Sequence, residues 1–89
     1  MARNNFFVED TVLDGVWSEY NFGSSMQAIF IVNRGTDPIE FSFNGLDVDG
    51  KLLSTDGSES RDNIDEETIY VRGVGASVDI QIEAWRGSR

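Results

Sequence analysis

Apolar and polar side chains alternate along most of this chain, and that period of two constrains the fold more than any other feature. Val78, Ile80, Ile82 and Ala84 share one face of the segment before Trp85, with Asp79, Gln81 and Glu83 opposite. A strand sends successive side chains to opposite faces, so this segment reads as half-buried β. Ile39, Phe41 and Phe43 alternate with Glu40, Ser42 and Asn44 in the same way, and Ile69 and Val71 with Thr68 and Tyr70. Ala28-Ile29-Phe30-Ile31-Val32 is apolar on both faces and reads as the most buried strand. Val12 to Tyr20 is a weaker strand, interrupted at Asp14-Gly15. No window carries the period of an amphipathic helix.

Turn residues separate these runs. Asn33-Arg34-Gly35-Thr36-Asp37-Pro38 reads as a loop, because Pro38 lacks the N–H that a central strand needs. Asn44-Gly45 predicts a two-residue hairpin that pairs Phe43 with Leu46 and Phe41 with Val48, with Asp49-Gly50 bending the second strand. Arg72 to Ala76 reads as a tight connection between the last two strands. Asp56 to Glu67 holds six acids against Arg61 alone, and Ile64 is its one large apolar residue. It reads as a solvated loop, with Asp65-Glu66-Glu67 leading into the next strand. The expected architecture is all-β: a small antiparallel β-sandwich or barrel of six to seven short strands without significant helix. Residues 1–10 read as an N-terminal arm or first strand, and 11–89 as a single β-sandwich domain.

Composition narrows the chemistry. At 89 residues there is material for one modest core. Sixteen acids against seven bases give a net charge of −9. Phosphate-driven nucleic-acid binding needs clustered Lys and Arg, so no nucleic-acid partner is expected, and no anionic membrane surface either. No apolar run approaches the ~18 residues of a membrane span. Phe6-Phe7-Val8, ended by Glu9-Asp10, is not a signal peptide, so the product is expected in the cytoplasm unless a larger particle carries it out. Zero His and zero Cys leave no imidazole base, no thiolate nucleophile and no Cys/His zinc site.

Few constellations compete with that picture. Asp47, Asp49 and Asp56 fall on carboxylate positions of a calcium loop when Gly50 is aligned to its glycine, but the first ligand position falls on Gly45. A polar hairpin edge accounts for them better. With sixteen acids, paired carboxylates arise by chance, and no catalytic, metal-binding or cofactor-binding residue is nominated. The aromatics Trp17, Tyr20, Tyr70 and Trp85 offer surface for a sugar or a partner, with Trp85 better read as a cap on the core. Phe6 and Phe7 are adjacent, so in a strand they point to opposite faces and one must turn from its own core. Phe6, Phe7, Trp17 and Tyr20 are therefore the candidate partner-interface residues.

Three stretches carry a resemblance. Asn33-Arg34-Gly35-Thr36-Asp37-Pro38-Ile39-Glu40-Phe41-Ser42-Phe43-Asn44-Gly45 is followed by Ile69-Tyr70-Val71-Arg72-Gly73-Val74-Gly75-Ala76-Ser77 and a closing Ile82-Glu83-Ala84-Trp85. Over residues 27–86 this resembles small β-rich structural proteins of tailed bacteriophages. The resemblance implies a non-enzymatic virion accessory role: capsid decoration first, then a neck, tail or head-fibre component. Its implied partners are major capsid or neck and tail proteins, its implied state a homo-oligomer, and its implied location the virion. It brings no catalytic residues and no cofactor. A carbohydrate-binding β-sandwich module is the expectation from another class.

Overall fold

The structure, a computed structural model, describes residues 6–54 and 57–86. Among them are six strands and no helix: β1 (Phe6–Val12), β2 (Ser18–Asn33), β3 (Ile39–Ser42), β4 (Gly50–Leu52), β5 (Ser58–Gly73) and β6 (Val78–Trp85). They form one hydrogen-bonded sheet in the order β1-β6-β2-β5-β3-β4, with antiparallel pairing throughout.

The length of β2 and β5, 16 residues each, decides the shape. They pair as a ribbon, Ser18–Asn21 against Thr68–Val71 and Ala28–Val32 against Ser58–Asp62, with register shifts on either side of Met26. At this bend Gly23 has φ 88° and Asn63 has φ 60°. Glycine and asparagine adopt that region most readily, and such irregularities turn a strand. The bend folds the sheet onto itself. One leaf holds β1, β6, the second half of β2 and the first half of β5. The other holds the first half of β2, the second half of β5, β3 and β4. The result is a sandwich made from one sheet.

The core lies between the leaves. Ile29, Ile31, Ile80 and Ile82 from one leaf and Phe41, Ile69 and Val71 from the other are essentially inaccessible. Phe6 crosses to Phe22, ring centroids 5.0 Å apart in an edge-on arrangement. Two seams are closed by polar side chains. Along one, the Tyr20 hydroxyl donates to Asp10 at 2.8 Å. Along the other, Arg61 donates to the Asp49 carbonyl at 3.0 Å and lies 5.3 Å from the centre of the Phe41 ring.

Three expectations are corrected. The Asn44-Gly45 hairpin does not form: Ile39, Glu40 and Phe41 pair with Leu52, Lys51 and Gly50, and Leu46 and Val48 are exposed. Side-chain caps win over the two-residue turn. The Asn44 side-chain carbonyl accepts from Leu46 N–H and Asp47 N–H, the Asp49 carboxylate accepts from Phe43 N–H, and the Ser42 hydroxyl accepts from Gly45 N–H. Secondly, the strands are not all short, because β2 and β5 each run through the bend. Thirdly, the acidic segment is not a loop. From Ser58 it is β5, and backbone pairing with β2 holds it where apolar burial is scarce. The pairing crowds carboxylates: Glu66 is held above the usual carboxylate range by partial burial first, then by Asp49 and Asp65. Asp56 lies outside the described residues.

Candidate functional site

The first leaf presents an outer face whose composition follows from register. Directly paired residues share a face. In β1 and β6, Phe6, Val8 and Val12 oppose Ala84, Ile82 and Val78 toward the core, which leaves Phe7, Glu9 and Thr11 beside Glu83, Gln81 and Asp79 on the outside. In β2 and β6, Ile29 and Ile31 oppose Ala84 and Ile82 inward, so Phe30 and Val32 lie outward beside Glu83 and Gln81. Phe7, Glu83 and Phe30 thus form one cross-strand row, and Glu9, Gln81 and Val32 the next. Phe7 is 58% exposed; Phe30 and Val32 are half-buried.

Hydrogen bonds order the polar side chains of this face. Arg34 donates to the Gln81 carbonyl at 3.0 Å, and the Gln81 amide donates to Glu83 at 2.8 Å. Thr11 donates to Asp79 at 2.6 Å. At the margin is a depression of about 310 Å³ lined by Glu9, Asp10, Thr11, Arg34, Asp79 and Ile80.

The four candidate interface residues do not gather into one surface. Phe6 is half-buried against Phe22 and the core. Phe7, its neighbour, turns outward, as adjacent strand residues must. Trp17 is half-buried, with the Arg72 guanidinium 4.1 Å from its ring centre, and Arg72 in turn pairs with Glu40. Tyr20 is 8% exposed and belongs to the core. Residues 6–10, read as an arm or first strand, belong to β1; residues 1–5 lie outside the described chain. Phe30 and Val32 were missed because an apolar run on both faces does not say which face is covered. The signal was present in β6, where Glu83 and Gln81 mark the outer side.

Tyr20 carries a pH prediction. Burial first, then the hydrogen bond and charge of Asp10, push its hydroxyl well above its ordinary value of 10.0. The folded tyrosine stays protonated where the unfolded one ionises, so its contribution is intact below pH 10 and lost as pH rises beyond it. Tyr20→Phe is expected to cost about 1 kcal/mol at neutral pH, from the lost hydrogen bond. Melting both proteins from pH 7 to 11 checks this: the wild-type advantage should shrink above pH 10.

Among the described residues no group of three or more His, Cys, Asp or Glu is placed to hold a metal ion. Asp47 and Asp49, the candidate calcium ligands, cap their own loop by accepting from the Asn44 amide and Phe43 N–H.

No protein family matches this chain, and no curated protein matches it in sequence. Solved structures are similar in fold. Streptomyces albus HEPD, solved with its substrate 2-hydroxyethylphosphonate and Fe(II) bound, is 17% identical with a TM-score of 0.63; the match covers 96% of this chain but only 19% of that one. The Cupin_2 domain of an XRE family transcriptional regulator from Enterobacter cloacae is 15% identical with a TM-score of 0.60, covering 97% and 84% of the two chains. A chain from Bacillus endospore appendages, which form a family of disulfide-linked pili, is 16% identical with a TM-score of 0.57, covering 97% and 88%. Together with the folded-over sheet, these likenesses show an all-β sandwich similar in fold to that Cupin_2 domain. They show fold alone, since one architecture hosts many functions.

Proposed function

We propose that this chain is a non-enzymatic structural protein of a tailed-phage virion, docked in multiple copies as a capsid decoration protein. The observation that carries the reading is Phe7. A large apolar side chain stands 58% exposed on a strand whose seven residues all pair with β6. A fixed, exposed aromatic of this kind is what a docking surface uses as an anchor. The phage-protein resemblance over residues 27–86 supports the same role. A rigid sandwich with one docking face also suits a coat, because many copies side by side supply avidity that one small contact lacks. The carbohydrate-binding reading has less behind it, because Arg72 sits over Trp17 and Tyr20 is buried.

The test is direct. Particles from a lysate in which the gene is expressed are banded by density, and their proteins are identified by mass spectrometry. The chain is expected in the particle band at many copies per particle. Its absence from intact particles removes the proposal.

A further inference from the structure

We infer that the outer face of β1, β6 and β2 docks a protein surface that presents lysine or arginine beside large apolar side chains. This rests on the reading of the chain as a docked structural protein and names the chemistry of what it docks on. Three features of the face converge.

The first is apolar. Phe7 and Phe30 share one cross-strand row, and Val32 lies in the next. Phe7 is well exposed and the other two are half-open to solvent, so they form a shallow aromatic and aliphatic strip rather than a lone exposed side chain.

The second is electrostatic. Glu83 stands between the two phenylalanines, Glu9 is in the adjoining row, and Asp79 is in the row beyond. Among the bases, Arg34 reaches this face and donates to Gln81. The depression at the margin has three carboxylates, Glu9, Asp10 and Asp79, around that one guanidinium. An apolar strip interleaved with carboxylates rewards a partner whose bases lie beside its apolar groups, and charge complementarity of this kind governs partner choice.

The third concerns the rival occupant, a second copy of the chain. Antiparallel pairing of two β1 edges about their middle residue sets Glu9 against Glu9. Stacking two such faces gathers Glu9, Asp79 and Glu83 of both copies into one interface. Like charges so placed oppose association, so the face is built against its own image.

The experiment uses the full chain, labelled with ¹⁵N, and two end-blocked peptides, one alternating lysine and leucine and one alternating glutamate and leucine. The lysine–leucine peptide is expected to move the amide signals of Phe7, Glu9, Phe30, Val32, Gln81 and Glu83. Its binding should weaken about tenfold between roughly 0.05 and 0.3 M salt. The double charge reversal Glu9→Lys with Glu83→Lys should weaken it by at least about tenfold, with melting temperature as the check on folding. Phe7→Ser, on the solvent side of β1, is the second variant and should weaken it comparably.

The inference is overturned if neither peptide moves these signals or if both move them equally. It is overturned as well if the lysine–leucine peptide gathers on Glu59 to Glu67, where bare charge density is greatest. A dimer in sedimentation that Phe7→Ser dissolves assigns the face to a second copy and overturns it too. None of these results depends on finding the chain in particles, so failure here and failure of the virion reading are distinguishable.

Discussion

Gly73→Ala is expected to leave little or no folded protein at 37 °C. A Cβ at this position meets the backbone oxygen of Ala76 at 2.0 Å and its carbonyl carbon at 3.2 Å, and backbone atoms cannot swing aside as a side chain would. Nor can Gly73 retreat. Its N–H donates to the Leu13 carbonyl and its own carbonyl accepts from Gly15 N–H, both at 2.9 Å, while Ile39 pairs with it across the sheet. The tight turn from β5 to β6 and the crossing from β1 to β2 are thus locked at one small residue. Relief requires breaking one of them, which places the cost in the exceptional range above about 4 kcal/mol. Gly75→Ala is the control. Gly75 has φ 92°, and a Cβ there meets nothing within 4 Å, so that change carries only conformational strain of about 1–2 kcal/mol. Thermal melts of both variants distinguish the two causes. Equal losses would show that the approach of the Ala76 oxygen to position 73 costs no more than the conformational strain at position 75.

The contrast between these glycines shows which parts of the fold were legible in the sequence. Gly73 and Gly75 read alike as turn residues, and only the three-dimensional structure separates them, by the close approach of Ala76 at one and the positive φ at the other. The alternation from Val78 to Ala84 yielded β6 and its inward face directly, because burial on one side writes itself into a period of two. The first half of β5 left no such mark. Its inward positions opposite Ile29 and Ile31 are Arg61 and Glu59, a pair that covers the core margin over Phe41 instead of entering it. Inward charges blunt an exposed strand edge, and to a reader of sequence they look like a loop. The same holds for the candidate interface. Phe7 was legible because adjacent phenylalanines must diverge, whereas the burial of Tyr20 depends on Asp10 arriving from another strand.

Phe41→Ala is the other change with a large expected effect, and its partner at Gly50 makes it testable by more than loss of stability. The Phe41 side chain is fully buried. Its ring meets Phe43 edge-on at 6.0 Å, lies under Arg61, and covers Gly50 so closely that a Cβ there would come within 2.3 Å of the ring. Truncation removes the transfer energy of the ring and leaves a cavity, a loss of about 3–5 kcal/mol. In a domain of this size that lowers the melting temperature by about 15 °C or more. Gly50→Ala in the wild-type background is expected to destabilise as well, because the ring must tilt away from its packed position. In the Phe41→Ala background the same substitution places its methyl in vacated space and should cost nearly nothing. The two changes are therefore strongly non-additive, with a coupling of about 1–3 kcal/mol in a double-mutant cycle measured by urea unfolding. Additive losses would mean that the ring does not lie over Gly50. The pairing of Phe41 with Gly50, which replaces the expected Phe41–Val48 hairpin, would then lose its packing rationale.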